Sequence, residues 1–230
     1  MAKTRPAITP IKDGPLRVQE HEALEGAMTN NATVYVVDDD DTVCRTLAAW
    51  LSKLGMNVRT FADATAFFDG YSEETPSCLV ADLKMPTMEG LALQRRLRER
   101  GIDIPTIFLT QYGTVESAVE AMQGGAVSFL EKPYEHDVLL ANIRKALKKD
   151  EKETGTRQRL KAGRERLESL TRRQHEVLER VVQGKANKVI ALELGLSEKT
   201  VELHRAKMMK GMGATSVAEL VRTWVELKGS

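Results

Sequence analysis

Short apolar runs alternate with amphipathic stretches from Thr33 to about Lys149. The runs are rich in β-branched residues and predict five strands, at 34–37, 57–61, 77–82, 105–110 and 126–131. Helical spacing predicts helices between them and after the last, at about 42–54, 63–71, 89–100, 114–124 and 135–149. Because the strands are continuously apolar, they are typical of a parallel sheet covered on both faces. We therefore predict a doubly wound α/β domain with a five-stranded parallel sheet.

The pattern changes after Lys149. Residues 150–168 are dense in charge with few apolar positions, which indicates a charged, largely helical linker. From Thr171 onward only helices are predicted, at about 171–183, 187–194, 198–211 and 216–227. The predicted organisation is thus an extension at 1–32, an α/β domain at 33–149, a linker at 150–168 and an all-α four-helix domain at 169–230.

Composition sets the class of protein and its compartment. The N-terminal extension carries three prolines and scattered charge, which predicts a flexible segment and not a secretory signal. No apolar run is long enough to span a membrane, so we expect a cytoplasmic protein with no membrane partner. Cys44 and Cys78 lie among apolar neighbours, and we expect two buried free thiols.

Charge is divided unevenly along the chain. Residues 1–150 carry 17 Lys and Arg against 22 Asp and Glu, whereas residues 151–230 carry 17 against 11. The two halves therefore have opposite signs, which indicates two domains with different partners. The basic half is expected to bind something anionic.

Four consecutive aspartates, Asp38 to Asp41, follow the first predicted strand and precede Thr42. Such a cluster suits a solvated helix start, because carboxylates are favourable at a helix N-terminus. It also suits a site for a hard divalent cation, which takes carboxylate oxygens. The D-x-D-x-T spacing further matches a haloacid-dehalogenase-type phosphatase, although four aspartates satisfy many patterns by accident.

Polar residues also end the other strands. Strand three ends in Asp82, strand four in Thr110, and Lys132 follows strand five. In a doubly wound sheet these ends converge on one edge, so they should meet Asp38 and Asp39 in one crevice.

That set is chemically complete for moving a phosphoryl group onto a carboxylate. Asp82 would be the nucleophile, forming an acyl phosphate. Asp39, Asp82 and the backbone carbonyl of Lys84 could ligate Mg²⁺, with Asp38 acting on the metal through water. Lys132 would neutralise charge on the transferred oxygens, and Thr110 could donate its hydroxyl to them.

Residues 33–149 resemble the flavodoxin-like receiver domain of bacterial two-component response regulators. The similarity lies in VVDDD, VADLKMP, TIFLTQYG and AVSFLEKP. It implies that a sensor histidine kinase phosphorylates Asp82, and that Phe129 turns inward when Thr110 moves toward the phosphate. This chain departs from the family at the position after Thr110, where the family usually has a small residue. Gln111 stands there, followed by Tyr112, and we expect these long side chains to affect access to the phosphorylation pocket.

The helical domain contains a helix-turn-helix pattern in ANKVIALELGLSEKTVELHRAKMM. Its second helix is capped by Ser197, and Val201 and Met208 are expected to face the core. Residues 169–224 resemble the LuxR/FixJ-type DNA-binding domain through LT-x-R, E-V-L, G-x-x-N-K, I-A and T-V-E-x-H-R. The resemblance places the helix 198–211 in the major groove of double-stranded DNA. Implied base-edge contacts are Glu202, Leu203 and Ala206, and implied phosphate contacts are Asn187, Lys188, Lys199, Thr200, Arg205 and Lys207.

These features predict a phosphorylation-switched transcription regulator and not a turnover enzyme. Family resemblance further implies a homodimer on phosphorylation and RNA polymerase as a partner. Two alternatives stay open, namely a phosphorylation-independent DNA-binding regulator with a vestigial receiver, and the phosphatase.

Overall fold

The structure, a computed structural model, describes residues 32–111 and 113–229. The predicted flexible extension therefore lies almost wholly outside the described residues. The chain divides into two compact units, and the boundary between them along the sequence falls between Lys152 and Glu153. No helix within the described ranges is both long and apolar enough to cross a membrane.

A five-stranded parallel sheet forms the middle of the first unit. Its strands are β1 (Thr33–Val37), β2 (Asn57–Phe61), β3 (Ser77–Asp82), β4 (Thr106–Thr110) and β5 (Ser128–Glu131), in the spatial order β2-β1-β3-β4-β5. The three inner strands are buried along their whole length, whereas β2 and β5 at the edges are partly exposed. This is the doubly wound sheet that the continuous apolar runs predict.

Five helices cover the two faces of the sheet. They are α1 (Asp41–Lys53), α2 (Ala64–Gly70), α3 (Gly90–Glu99), α4 (Val115–Gln123) and the first part of α5 (His136–Glu168), whose residues from Glu153 onward belong to the second unit. On one face α1 and α5 bury Leu51 and Ile143 against the sheet. On the other face α2 and α3 bury Phe67 and Leu93. Both cysteines are buried free thiols, as predicted.

The segment predicted as a largely helical linker is helical, and it continues the preceding helix without a break, so α5 extends to Glu168. That segment is rich in good helix formers, and its two glycines do not end the helix. Gly163 also has a packing reason, since a Cβ there would lie 3.1 Å from Leu227 Cδ2. Earlier in α5, the buried Asp150 accepts hydrogen bonds from Thr75 Oγ1 and from the backbone N–H of Ser77, each at 2.9 Å.

Four helices complete the second unit: α6 (Arg172–Val182), α7 (Asn187–Leu194), α8 (Glu198–Met212) and α9 (Val217–Lys228). The turn between α7 and α8 contains Gly195 at φ 66°, a left-handed conformation that favours glycine. Ser197 caps α8 by accepting from the Thr200 N–H at 3.1 Å. Val201 and Met208 are fully buried, as predicted, so the opposite side of α8 faces solvent.

Candidate functional site

The carboxyl ends of the strands form a cavity of about 300 Å³ in the first unit. It is lined by every residue that was predicted to form the pocket and that the structure describes, except Phe129. The lining is Asp38, Asp39, Asp40, Asp82, Lys84, Thr110, Gln111 and Lys132. The convergence predicted from four separate strand ends is therefore present in the structure.

The four consecutive aspartates have four different environments. Asp38 is buried, whereas Asp39 is exposed at the cavity. Asp40 caps α1 by accepting from the Thr42 N–H at 2.8 Å, and this hydrogen bond lowers the pKa of Asp40. Asp41 lies 3.2 Å from Arg45 in the first turn of the helix. The cluster is thus both a helix start and part of a pocket.

Lys132 connects two buried carboxylates. Its Nζ donates to Asp38 Oδ2 at 2.6 Å and to Asp82 Oδ1 at 2.8 Å. Burial alone would lower the pKa of Lys132, but these two hydrogen bonds raise it above its usual value. Burial raises the pKa of Asp38, and the hydrogen bond from Lys132 opposes that effect. One ammonium therefore holds two carboxylates that would otherwise repel each other across the cavity.

Asp82 is fixed from both sides at the end of β3. Its Oδ1 accepts from Lys132, and its Oδ2 accepts from the backbone N–H of Lys84 at 2.7 Å. Gly90, the first residue of α3, packs against the Asp82 backbone, where a Cβ would lie 2.7 Å from the carbonyl oxygen. These contacts hold the carboxylate in one orientation, and the residue as a whole is only 6% exposed.

The end of β4 is connected to β5 and to the loop that follows it. Thr110 is fully buried, and its carbonyl accepts from the backbone N–H of Lys132 at 2.7 Å. Phe129 is half-buried and packs on Gly113, where a Cβ would lie 2.8 Å from the ring atom Cε1. Thr110 and Phe129 therefore belong to neighbouring strands, as the switch interpretation requires, although Phe129 does not line the cavity.

The cavity has donors of the kind that Mg²⁺ prefers. Asp38, Asp39 and Asp82 all line it, and carboxylate oxygens are the ligands that this ion takes. Within residues 32–111 and 113–229, no three acidic, histidine or cysteine side chains form a ready-made cluster. Mg²⁺ keeps several of its waters and needs few protein ligands, so this donor set fits it.

Gln111 is exposed and lines the cavity, which is the position that the gating prediction needs. Its neighbour Tyr112, also predicted to affect access, lies outside the described residues.

A second candidate surface lies on α8 and the start of α7. All three predicted base-reading residues, Glu202, Leu203 and Ala206, are exposed, as are the lysines Lys188, Lys199 and Lys207. The other three predicted phosphate contacts are half-buried and already have protein partners. Thr200 Oγ1 lies 2.7 Å from Ser197 Oγ, and Arg205 Nη1 donates to Asn187 Oδ1 at 2.9 Å.

Sequence reasoning missed the capping role of Asp40, the packing role of Gly90 and the contact between Arg205 and Asn187. An Asp directly before a helix is a capping signal, so Asp40 was open to prediction. The roles of Gly90 and of the Arg205–Asn187 contact depend on tertiary distances that no local pattern contains.

Two family models match the chain. Residues 34–144 match the response regulator receiver domain, and residues 168–224 match the bacterial regulatory proteins of the luxR family. The two matches cover the two units in the order in which the sequence patterns place them.

Several relatives match this chain over most of their own length. The response regulator protein TmoT of Ectopseudomonas mendocina is 40% identical over 86% of this chain and 90% of its own length. The transcriptional regulatory protein FixJ of Rhizobium meliloti is 41% identical over 83% of this chain and 93% of its own. Among solved structures, the response regulator StyR is 37% identical and has a TM-score of 0.78, covering 85% of this chain and 98% of StyR.

Proposed function

The chain belongs to the response regulators that join a receiver domain to a LuxR-type DNA-binding domain, and from this membership we propose how its residues perform that function. It is a phosphorylation-dependent DNA-binding regulator of transcription, and its partners are a sensor kinase and DNA. The family matches give no support to the phosphatase interpretation. We assign the phosphoryl-accepting carboxylate to Asp82.

In the proposed transfer, an Asp82 oxygen forms a bond to phosphorus while the bond between phosphorus and the kinase histidine nitrogen breaks. The imidazole leaves with the electron pair of the broken bond, and Asp82 becomes an acyl phosphate. Lys132 already donates to Asp82 Oδ1 and is placed to neutralise charge on the transferred oxygens. The hydroxyl of Thr110 would then donate to the new phosphoryl group.

The residues that would hold Mg²⁺ are Asp38, Asp39, Asp82 and the backbone carbonyl of Lys84. When bound, the metal supplies positive charge that stabilises the transferring phosphoryl oxygens. Asp38 is the ligand that Lys132 already restrains, whereas Asp39 is exposed and accessible to an entering ion.

Phosphorylation would be transmitted through Thr110 and Phe129, which lie on adjacent strands. We propose that the phosphorylated protein forms a homodimer in the cytoplasm, binds paired DNA half-sites through α8 and contacts RNA polymerase. On α8, Glu202, Leu203 and Ala206 would approach base edges. Lys188, Lys199 and Lys207 would hold phosphates because they are exposed cations.

The observation that carries the proposal is the Lys132 ammonium between Asp38 and Asp82 in a cavity at the strand ends. Intact-mass analysis after incubation with acetyl phosphate and Mg²⁺ tests it. We expect the wild type and the exposed-site control Asp69→Asn to gain one phosphoryl group, and Asp82→Asn to gain none. Phosphorylation of Asp82→Asn to the wild-type extent would refute the assignment.

The same samples separate the remaining alternatives. DNA binding that ignores acetyl phosphate and Mg²⁺ would favour the vestigial receiver. Turnover of a phosphomonoester that is abolished by Asp38→Asn and retained by Asp82→Asn would favour the phosphatase.

A further inference from the structure

Arg205 joins the two helices of the helix-turn-helix. It lies in the middle of α8, and its Nη1 donates to the side-chain oxygen of Asn187, the first residue of α7, at 2.9 Å. Both side chains are half-buried, unlike the exposed lysines around them. The contact spans 18 positions in sequence and fixes α7 against α8 at the surface predicted to meet DNA.

The chemistry of the pair determines how the Asn187 amide is turned. A guanidinium has only donors, so it must bind the oxygen of the amide and not its NH₂ group. The NH₂ group, which is on the other side of the amide carbon, is then directed away from Arg205. Asn187 does not cap its own helix either, because α7 begins after Ala186 without a side-chain cap.

We propose that Arg205 is a positioning residue that orients Asn187, whose NH₂ group donates to a DNA phosphate. Arg205 itself neutralises no phosphate in this arrangement. The proposal rests on the proposed binding of DNA by α8 and deepens it, because it separates the exposed lysines, which are charge contacts, from Asn187, which is an oriented neutral donor. It changes the role expected of Arg205 from the sequence.

Two measurable consequences follow. If Arg205 acts through Asn187, removing either side chain should weaken DNA binding as much as removing both. A neutral donor releases no counterion, so these variants should leave the salt dependence of binding almost unchanged. An exposed lysine that neutralises one phosphate should instead contribute about 0.9 to the slope of log K against log[salt].

The experiment is fluorescence anisotropy of the full-length protein, phosphorylated with acetyl phosphate at a constant Mg²⁺ concentration, with a labelled mixed-sequence DNA duplex over a series of KCl concentrations. Phosphate contacts act on any sequence, so no operator is required. The variants are Arg205→Ala, Asn187→Ala, their double variant and the matched charge control Lys199→Ala. We expect each single variant and the double to bind about tenfold more weakly, as for the loss of one hydrogen bond to a charged group. Only Lys199→Ala should lower the salt slope, by about one for each bound protomer.

Asn187→Asp separates orientation from support of the fold. This substitution keeps a charge-assisted bond to Arg205 but replaces the NH₂ donor with a negatively charged oxygen. We expect binding weaker than that of Asn187→Ala, with an unchanged thermal midpoint. Wild-type DNA binding by Asn187→Asp would show that the pair only supports the fold, and would overturn the proposal.

The remaining outcomes are also decisive. Arg205 would be an independent phosphate contact if the double variant lost about a hundredfold in DNA affinity, the product of two single effects, and if Arg205→Ala reduced the salt slope of binding. Unchanged binding in both single variants would likewise overturn the proposal. If the wild type does not bind the duplex, or if Lys199→Ala has no effect, the proposed DNA-binding surface itself fails and not only the role of Arg205.

Discussion

The receiver cavity and the DNA-binding surface use charge in opposite ways. In the cavity, three buried or nearly buried groups (Asp38, Asp82 and Lys132) are connected by hydrogen bonds of 2.6 and 2.8 Å. On α8, the cations Lys199 and Lys207 are exposed and separate. Buried charges depend on one another because each is costly to leave unpaired, whereas exposed charges are screened by solvent. We therefore expect strongly coupled substitutions in the cavity and nearly independent ones on the DNA-binding surface.

The largest expected effect is that of Lys132→Ala, which tests the coupling directly. It leaves Asp38 and Asp82 as neighbouring buried carboxylates without a cation, so we expect the free energy of unfolding to fall by about 3 kcal/mol without Mg²⁺. The exposed-lysine control Lys199→Ala should stay within about 0.5 kcal/mol of the wild type. Urea denaturation measures both.

Adding Asp38→Asn to Lys132→Ala should recover part of that loss, because one of the two repelling charges is removed. Additive effects of the two substitutions would contradict the comparison between a coupled cavity and an uncoupled surface.

The second effect concerns the backbone beneath the cavity. Gly90→Ala would place a Cβ 2.7 Å from the carbonyl oxygen of Asp82, so the end of β3 must shift. We expect a loss of about 2 kcal/mol of stability and slower phosphorylation by acetyl phosphate. The control is Gly155→Ala in α5, where a Cβ would meet nothing within 4 Å and helix propensity predicts a gain of about 0.5–1 kcal/mol. Wild-type phosphorylation rates in Gly90→Ala would mean that Asp82 does not depend on this packing.

A third test concerns the exposed member of the acidic set. Asp39→Asn should weaken Mg²⁺ binding by at least about tenfold, since even changes around metal ligands typically cost that much. Because Asp39 is exposed, protein stability without metal should hardly change. Titration with Mg²⁺, followed by calorimetry, measures the affinity. Undiminished affinity would exclude Asp39 from the metal site.

The smallest effect on stability is expected at Gln111. If this exposed side chain obstructs the cavity, Gln111→Ala should speed both phosphorylation by acetyl phosphate and spontaneous dephosphorylation. Stability should change by no more than about 0.5 kcal/mol. Time courses of the phosphorylated mass are compared with those of Gln123→Ala, an exposed control at the end of α4.

The rate of phosphorylation and the rate of dephosphorylation together distinguish the possible roles of Gln111. A slower rate in either direction would mean that its amide binds the phosphoryl group or orients water. Unchanged rates in both directions would leave Gln111 without a role in access.

Much of this arrangement follows from the sequence, because it depends on strand ends and helix periodicity. Asp82, Thr110 and Lys132 each end or follow a buried apolar run, and parallel topology brings such ends to one edge. On α8, burial of Val201 and Met208 fixes which positions remain exposed. Asp150 shows the limit, because the charged, largely helical linker predicted to begin there contains no sign that this carboxylate is buried. Its burial depends on donors more than 70 positions away, Thr75 and Ser77, which no local pattern relates to it.

The two buried cysteines allow local opening of the first unit to be measured by chemical labelling. Cys44 Sγ lies 3.4 Å from the Asp38 carbonyl oxygen beneath the cavity, whereas Cys78 lies in the middle of the sheet, and the second unit has no cysteine. Both thiols are buried, which blocks a thiol reagent and raises the pKa of each thiol, so labelling should occur only when the surrounding structure opens. The rate of labelling at Cys44 then reports local opening at the cavity, and the rate at Cys78 reports opening of the sheet. The chain thus contains two native probes of receiver dynamics, and phosphorylation should slow the first more than the second if it closes the cavity.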